Sequence, residues 1–283
     1  MPRTLAVTVA LLAFAAPAFA GAPAPIPHPI ERAFRAPVVV VGKVTSIEKD
    51  TVDAAPYPGL PKVAHKVAVV KIETNLAGAA GLTHLKVGFV PPAKPDPKAK
   101  RDPRERPAPD LKEGQEMLFF LTKHADGAFY AMPNMLFPVD AKAADYKAQV
   151  EAVTKALAAA ADPAKALAAE KAEDRFHAAL ALVTKYRLYD GTRDVEAVPI
   201  AADENRLILK ALAEGDWSFD PRGVRLNGFI AVYRLGLSEA DGWKAPGGKQ
   251  GEEYHETMRK AFVAWVNGPG KEFRIKKFVP TKK

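Results

Sequence analysis

Residues 38–47 read Val38-Val39-Val40-Val41-Gly42-Lys43-Val44-Thr45-Ser46-Ile47: four consecutive valines, then an alternation. Valine is branched at Cβ and favours extended backbone, so the stretch predicts a strand. Similar runs follow at residues 67–72, which are valine-rich, and 85–89, where Leu85, Val87 and Phe89 alternate with Lys86 and Gly88. A fourth, compact run spans residues 117–121, and a fifth, residues 129–132, follows Asp126-Gly127. That dipeptide between two apolar runs is a hairpin signal. Five short strands ending near Pro138 predict a small closed barrel or a sandwich.

After Asp140 the apolar period lengthens from two to that of a helix. Tyr146, Val150, Val153 and Leu157 recur at i, i+4, i+7 and i+11. Asp162-Pro163 is a helix-start signal, and the helix expected after it carries Phe176, Leu180 and Val183. Asp203 is expected to cap a third helix with Leu207, Ile208, Ala211 and Leu212. Asp220-Pro221 repeats the start signal before Leu226, Phe229, Ile230, Tyr233 and Leu237. A fifth helix holds Met258, Phe262, Trp265 and Val266 and stops at Gly268-Pro269-Gly270. Five amphipathic helices with short connections predict an antiparallel bundle or stacked helix pairs. A weak echo runs from Leu212 to Trp217 and from Leu237 to Trp243, each a helix end, an acidic turn and a tryptophan. Both tryptophans are expected to plug gaps between helices.

The strand-rich half resembles the OB-fold domain of the tissue-inhibitor-of-metalloproteinase and netrin-like group. The likeness is carried by residues 38–44, by residues 67–72 with Leu76-Ala77-Gly78 after them, and by Leu111-Lys112-Glu113-Gly114-Gln115-Glu116 leading into Met117-Leu118-Phe119-Phe120-Leu121. It covers about 100 residues and is a pattern of strands and glycines. It implies an OB-like barrel that binds proteins or polymers through its loops. Inhibitors of that group place an N-terminal cysteine on a protease's zinc, and this chain has no cysteine, so that mechanism does not carry over. The fold class expected is therefore α+β, a five-stranded OB-like barrel followed by an α-helical domain.

The chain has 283 residues, enough for one large domain or two small ones. Its 48% hydrophobic content excludes a wholly disordered chain, and its 26% charged content excludes a polytopic membrane protein. Zero cysteine excludes a disulfide framework, a thiolate metal site and a cysteine nucleophile. Arg3, an apolar run over residues 5–16, and small residues at Ala18 and Ala20 form the three-part pattern of a signal peptide cleaved after Ala20. The expected product is exported, periplasmic or extracellular, with no transmembrane segment. The expected organisation is a signal peptide at 1–20, a Pro/Ala-rich leader at 21–36, a β domain at 37–140, a helical domain at 141–270 and a basic tail at 271–283.

The net charge of +8 is uneven. The tail carries Lys271, Arg274, Lys276, Lys277, Lys282 and Lys283 against Glu272, while Phe273, Ile275 and Phe278 predict that part of it packs on the body as an edge strand. Residues 91–110 hold seven prolines, with Lys94, Lys98, Lys100, Arg101, Arg104 and Arg106 against four acids, and predict an exposed loop. Candidate binding residues are Lys98, Lys100, Arg101, Arg104 and Arg106 in the loop and Arg274, Lys276 and Lys277 in the tail. Exposed cations of this kind suit a protein or an anionic polysaccharide. The tail lacks the stacking aromatics of a nucleic-acid surface.

Motifs for chemistry are sparse. The three serines, Ser46, Ser218 and Ser238, sit in no nucleophile-elbow or Ser-x-x-Lys context. There is no phosphate-cradling Gly-rich motif. His255-Glu256 opens like a zinc-protease motif, but Arg259 stands where the second histidine belongs. Asp174 with His177 and Glu252 with His255 share helix faces, and Glu151 and Glu204 are nominal partner acids for a metal pair. His28, His65, His84 and His124 show no ligand spacing. No catalytic residue, metal ligand or cofactor is assigned. The expectation is an exported non-catalytic binding or scaffolding protein. The alternatives left open are a metal-dependent hydrolase-type enzyme acting through His177 or His255, and a protease-inhibitor-like module.

Overall fold

The four valines at 38–41 are all buried because the strand that holds them is covered on both faces. In the computed structural model, which describes residues 27–56, 59–92, 109–125, 127–133, 136–189, 194–220, 226–249 and 251–281, a short helix α1 (Pro29–Arg35) leads into β1 (Val38–Ile47). There follow β2 (Val52–Ala54), β3 (Val63–Ala77), β4 (His84–Phe89), β5 (Glu116–Lys123), β6 (Tyr130–Ala131) and β7 (Val139–Asp140). The chain is mixed α+β. β1 pairs antiparallel with β3, setting Val44 opposite Val70, and with β5, setting Val40 opposite Phe119. β3 pairs with β4, β4 pairs parallel with β6, and β6 pairs with β5, so the hydrogen-bonded path from β1 returns to β1.

Side chains alternate across a strand, so β1 and β5 feed two cores. Val38, Val40, Val44, Phe119 and Leu121 pack with Val70, Leu85 and Val87 on one side. Val39, Val41, Leu118 and Phe120 turn the other way, onto Ile30 and Ala33 of α1 and onto helices beyond the sheet. At the end of β3, Gly78 turns at φ +73°, and a Cβ there would stand 2.0 Å from the carbonyl oxygen of Pro37. Only glycine fits that turn.

The helices that cover β1 and β5 are α2 (Tyr146–Ala161), through Tyr146, Val153 and Ala156, and α4 (Ala172–Tyr186), through Ala181. Between them lies α3 (Pro163–Leu167), started by Asp162, whose carboxylate accepts the Lys165 amide at 3.1 Å. The single helix expected after Asp162-Pro163 is thus two, parted at residues 168–171. β8 (Val195–Pro199) precedes α5 (Ala202–Glu214), α6 (Gly228–Leu235), α7 (Glu252–Asn267) and β9 (Lys276–Pro280). Asp203 does not cap α5: the helix begins at Ala202, and Asp203 pairs with Arg206 at 2.6 Å. α6 is capped by Asn227, whose side chain accepts the Ile230 amide at 3.1 Å, seven residues after Asp220. Pro221 lies outside the described residues.

A third core joins α4, α5, α6 and α7 around Phe262. Trp217 and Trp243 are buried against it, with ring centroids 5.4 and 6.3 Å from Phe262. Both tryptophans therefore pack between helices. Residues 271–281 of the tail belong to this unit. Ile275 is fully buried, and β9 runs antiparallel to β8 with Lys277 opposite Val198.

Helix α1 forms within the stretch read from sequence as a leader. His28 starts it, its Nδ1 accepting the Ile30 amide at 3.3 Å, and Pro29 supplies the first helical residue. Arg32 is buried over the Phe120 ring at 4.8 Å and donates to the Phe137 carbonyl, and burial lowers its pKa to about 10. Glu31 ties α1 to α6 through Arg234 at 2.9 Å. Among the described residues no helix is long and apolar enough to cross a membrane. The signal-peptide pattern at residues 1–20 lies outside the described residues.

Candidate functional site

α5 presents one stripe made of Ala202, Asn205, Arg206, Leu209, Lys210, Ala213 and Glu214 at helical spacing. α7 answers with Arg259, Val263, Val266 and Asn267. Between the two stripes runs an open cleft of about 790 Å³, closed at one end by Gly270, Lys271 and Arg274. Its apolar lining comes from Leu209, Ala213, Val263 and Val266. Five cations, Arg206, Lys210, Arg259, Lys271 and Arg274, line it against one carboxylate, Glu214.

The end of the cleft is built by close approach and by one buried amide. Past α7 the chain turns at Gly270, where a Cβ would stand 2.8 Å from the Trp265 indole. A larger residue would push the turn off the ring. Asn205 on α5 then grips the strand leading to β9. Its Nδ2 donates to the Phe273 carbonyl at 2.8 Å, and its Oδ1 accepts the Ile275 amide at 2.8 Å. Phe273 stands edge-on to Trp265 at 5.2 Å, and the Ile275 carbonyl accepts the Ile200 amide at 3.0 Å. Arg274, between the two gripped residues, is thereby set on the cleft.

The cations differ in how far they are already paired. Arg259 makes two bonds to Glu256, at 2.8 and 2.9 Å, which lower the Glu256 pKa and raise that of Arg259. Arg206 pairs with Asp203 across an exposed helix turn, where such pairs are weak. Lys210 is 3.9 Å from Glu214, which also lies 3.5 Å from Arg175. Among the described residues no carboxylate pairs with Lys271 or Arg274. The cleft can thus attract a negatively charged group and offers an apolar lining beside it.

Of the residues expected to bind from sequence, Arg274 lines this cleft, while Lys276 and Lys277 stand beyond it on β9. The Lys276 carbonyl accepts from Arg187, whose guanidinium lies 4.3 Å over the Phe278 ring. Lys98, Lys100, Arg101, Arg104 and Arg106 lie outside the described residues. Arg206, Lys210, Arg259 and Lys271 were not singled out from sequence. The available signal was the i, i+4 pair Arg206 and Lys210 beside Leu209 and Ala213.

The acids and histidines weighed for a metal pair go to separate places. Lys155 holds Glu151 at 3.0 Å and Asp174 at 3.3 Å, and these bonds raise its pKa. His177 is exposed. Glu204 accepts from the Tyr186 hydroxyl, and burial first, then this bond, raises the pKa of Tyr186. His255 donates from Nδ1 to the Trp217 carbonyl at 3.1 Å and stacks on Phe229 at 4.6 Å. His124 accepts the Gly127 amide at Nδ1, which leaves Nε2 to donate to the Ala55 carbonyl at 3.0 Å. Its ring packs on Phe129 at 4.7 Å, beside His65. Among the described residues no group of three or more metal-ligating side chains converges.

No protein-family model matches this chain, and no curated protein matches it in sequence.

Proposed function

We propose that this chain is an exported, non-catalytic binding protein that takes an anionic partner in the cleft between α5 and α7. The observation that carries this reading is the set of five cations around an apolar lining, with Arg274 positioned by the Asn205 grip. A residue whose flanking backbone is held before binding leaves less to be ordered when the ligand arrives. Export rests on the signal-peptide pattern of residues 1–20.

The sheet is proposed to be an OB-like barrel related in architecture to the inhibitor and netrin-like group. Its support is the pairing path β1–β3–β4–β6–β5 and back to β1, with β4 and β6 parallel. On this reading the barrel is a scaffold that carries the helices on the outer faces of β1 and β5, and recognition is done by the helical side.

The test is capture of partners from envelope and secreted extracts at low and high salt, with the intact chain beside a Lys271→Glu/Arg274→Glu variant. A discrete partner should be retained at low salt, weakened at high salt as screening demands, and lost by the variant. Retention that ignores both salt and variant overturns the assignment to this cleft.

A further inference from the structure

We infer that the partner of the cleft is an acidic amphipathic helix on another protein, an inference that rests on the binding reading above. Three observations lead there. The first is what the walls are made of. Both are helices, whose mid-helix backbone groups bond within the helix, so the cleft offers a ligand side chains and few free backbone partners. An extended peptide laid there would leave its own amides and carbonyls unpaired. A helix brings them already bonded, so it is the peptide conformation that suits such a groove.

The second is the lining. Ala213, Val263 and Val266, each half-buried, give an apolar strip over the buried Leu209, which a uniformly polar polyanion cannot use. The third is the spread of charge. The cations lie on both walls, Arg206 and Lys210 on α5 and Arg259 on α7, with Lys271 and Arg274 at the end. α5 lines the cleft from Ala202 to Glu214, about 18 Å at 1.5 Å per residue. A single anionic headgroup meets one end of that length. A helix of about three turns, with one apolar stripe flanked by Glu or Asp, meets all of it.

The experiment uses the intact chain and labelled synthetic peptides read by fluorescence anisotropy. The probe is a Leu/Glu peptide of about fifteen residues with leucines at i, i+3, i+4 and i+7. Its controls are the same composition with the leucines scattered, polyglutamate of equal length, and a sulfated polysaccharide. The patterned peptide should bind at least roughly tenfold more tightly than the scattered one and gain helical circular dichroism on binding. Lys271→Glu/Arg274→Glu and, separately, Val263→Ser should each weaken it, with unchanged thermal midpoints showing that both variants fold. No peptide binding, or equal binding of polyglutamate or polysaccharide, overturns the helix assignment. If the extract partner is still captured through Lys271 and Arg274 in that case, the anion-binding reading stands and only the helix is lost. Binding indifferent to both variants removes the cleft from consideration.

Discussion

At the scale of single residues, two side chains show how local polar chemistry is made to serve position. Asn205 is buried, with 2% of its surface exposed, and meets both backbone groups that flank Arg274. Asn205→Leu keeps the branched shape with larger methyl ends, leaves the Ile275 amide without its partner, and leaves the Phe273 carbonyl only the Arg274 guanidinium at 3.2 Å. It should cost about 1–3 kcal/mol of stability, read by denaturant unfolding, and weaken anion binding although no charge changes. His28 makes the second case. Burial first, then Arg234 and Arg32, push its pKa down to about 4, against the opposing pull of Glu31 and Asp145. The unfolded histidine titrates near its ordinary 6.5, so between those values the unfolded chain binds a proton that the folded chain refuses. Stability is intact above pH 6.5 and falls as the pH drops toward 4, by a few kcal/mol at most on the order set by the shift. His28→Asn, which keeps a capping acceptor, should flatten that fall in melting temperature. An unchanged pH profile in the variant would remove His28 from the account.

At the scale of elements, β5 carries the clearest burden because Phe119 and Phe120 point into different cores. Phe120→Ala removes the ring under Arg32 and opens a cavity against α1 and α2, with an expected loss of about 3–5 kcal/mol in chemical denaturation. The strands were legible from the chain because β-branched runs with period two leave few alternatives: β1, β3, β4 and β5 fall where the valine, leucine and phenylalanine runs stand. α1 was hidden, since seven residues opened by His28-Pro29 give too little period to see against a proline-rich surround. The break between α3 and α4 carries no glycine or proline to announce it. The cleft was hidden for a different reason. Arg206, Arg259 and Arg274 are scattered along the chain and meet only once Asn205 has drawn the tail across α5. Arg274 was picked out for its charge, whereas its place follows from Phe273 and Ile275 beside it.

At the scale of the whole molecule, the tail is part of the structure as well as a carrier of charge. A chain ending at Gly270 loses Ile275, β9 and the partner of Asn205 together. Such a truncation should lower the thermal midpoint by several degrees, so loss of binding in it would not isolate the charges; point substitutions at Lys271 and Arg274 do. The doubly covered pair β1 and β5 has a further consequence for motion. Val39 to Val41 and Leu118 to Phe120 are buried between the two cores, and freeing their amides requires the sheet and its covering helices to open together. Hydrogen exchange should therefore find the slowest protons at Val39, Val40, Val41 and Leu118 to Phe120, exchanging only through opening of the whole unit. The amides of β8 and β9, a ribbon of two strands, should exchange by local fraying long before them.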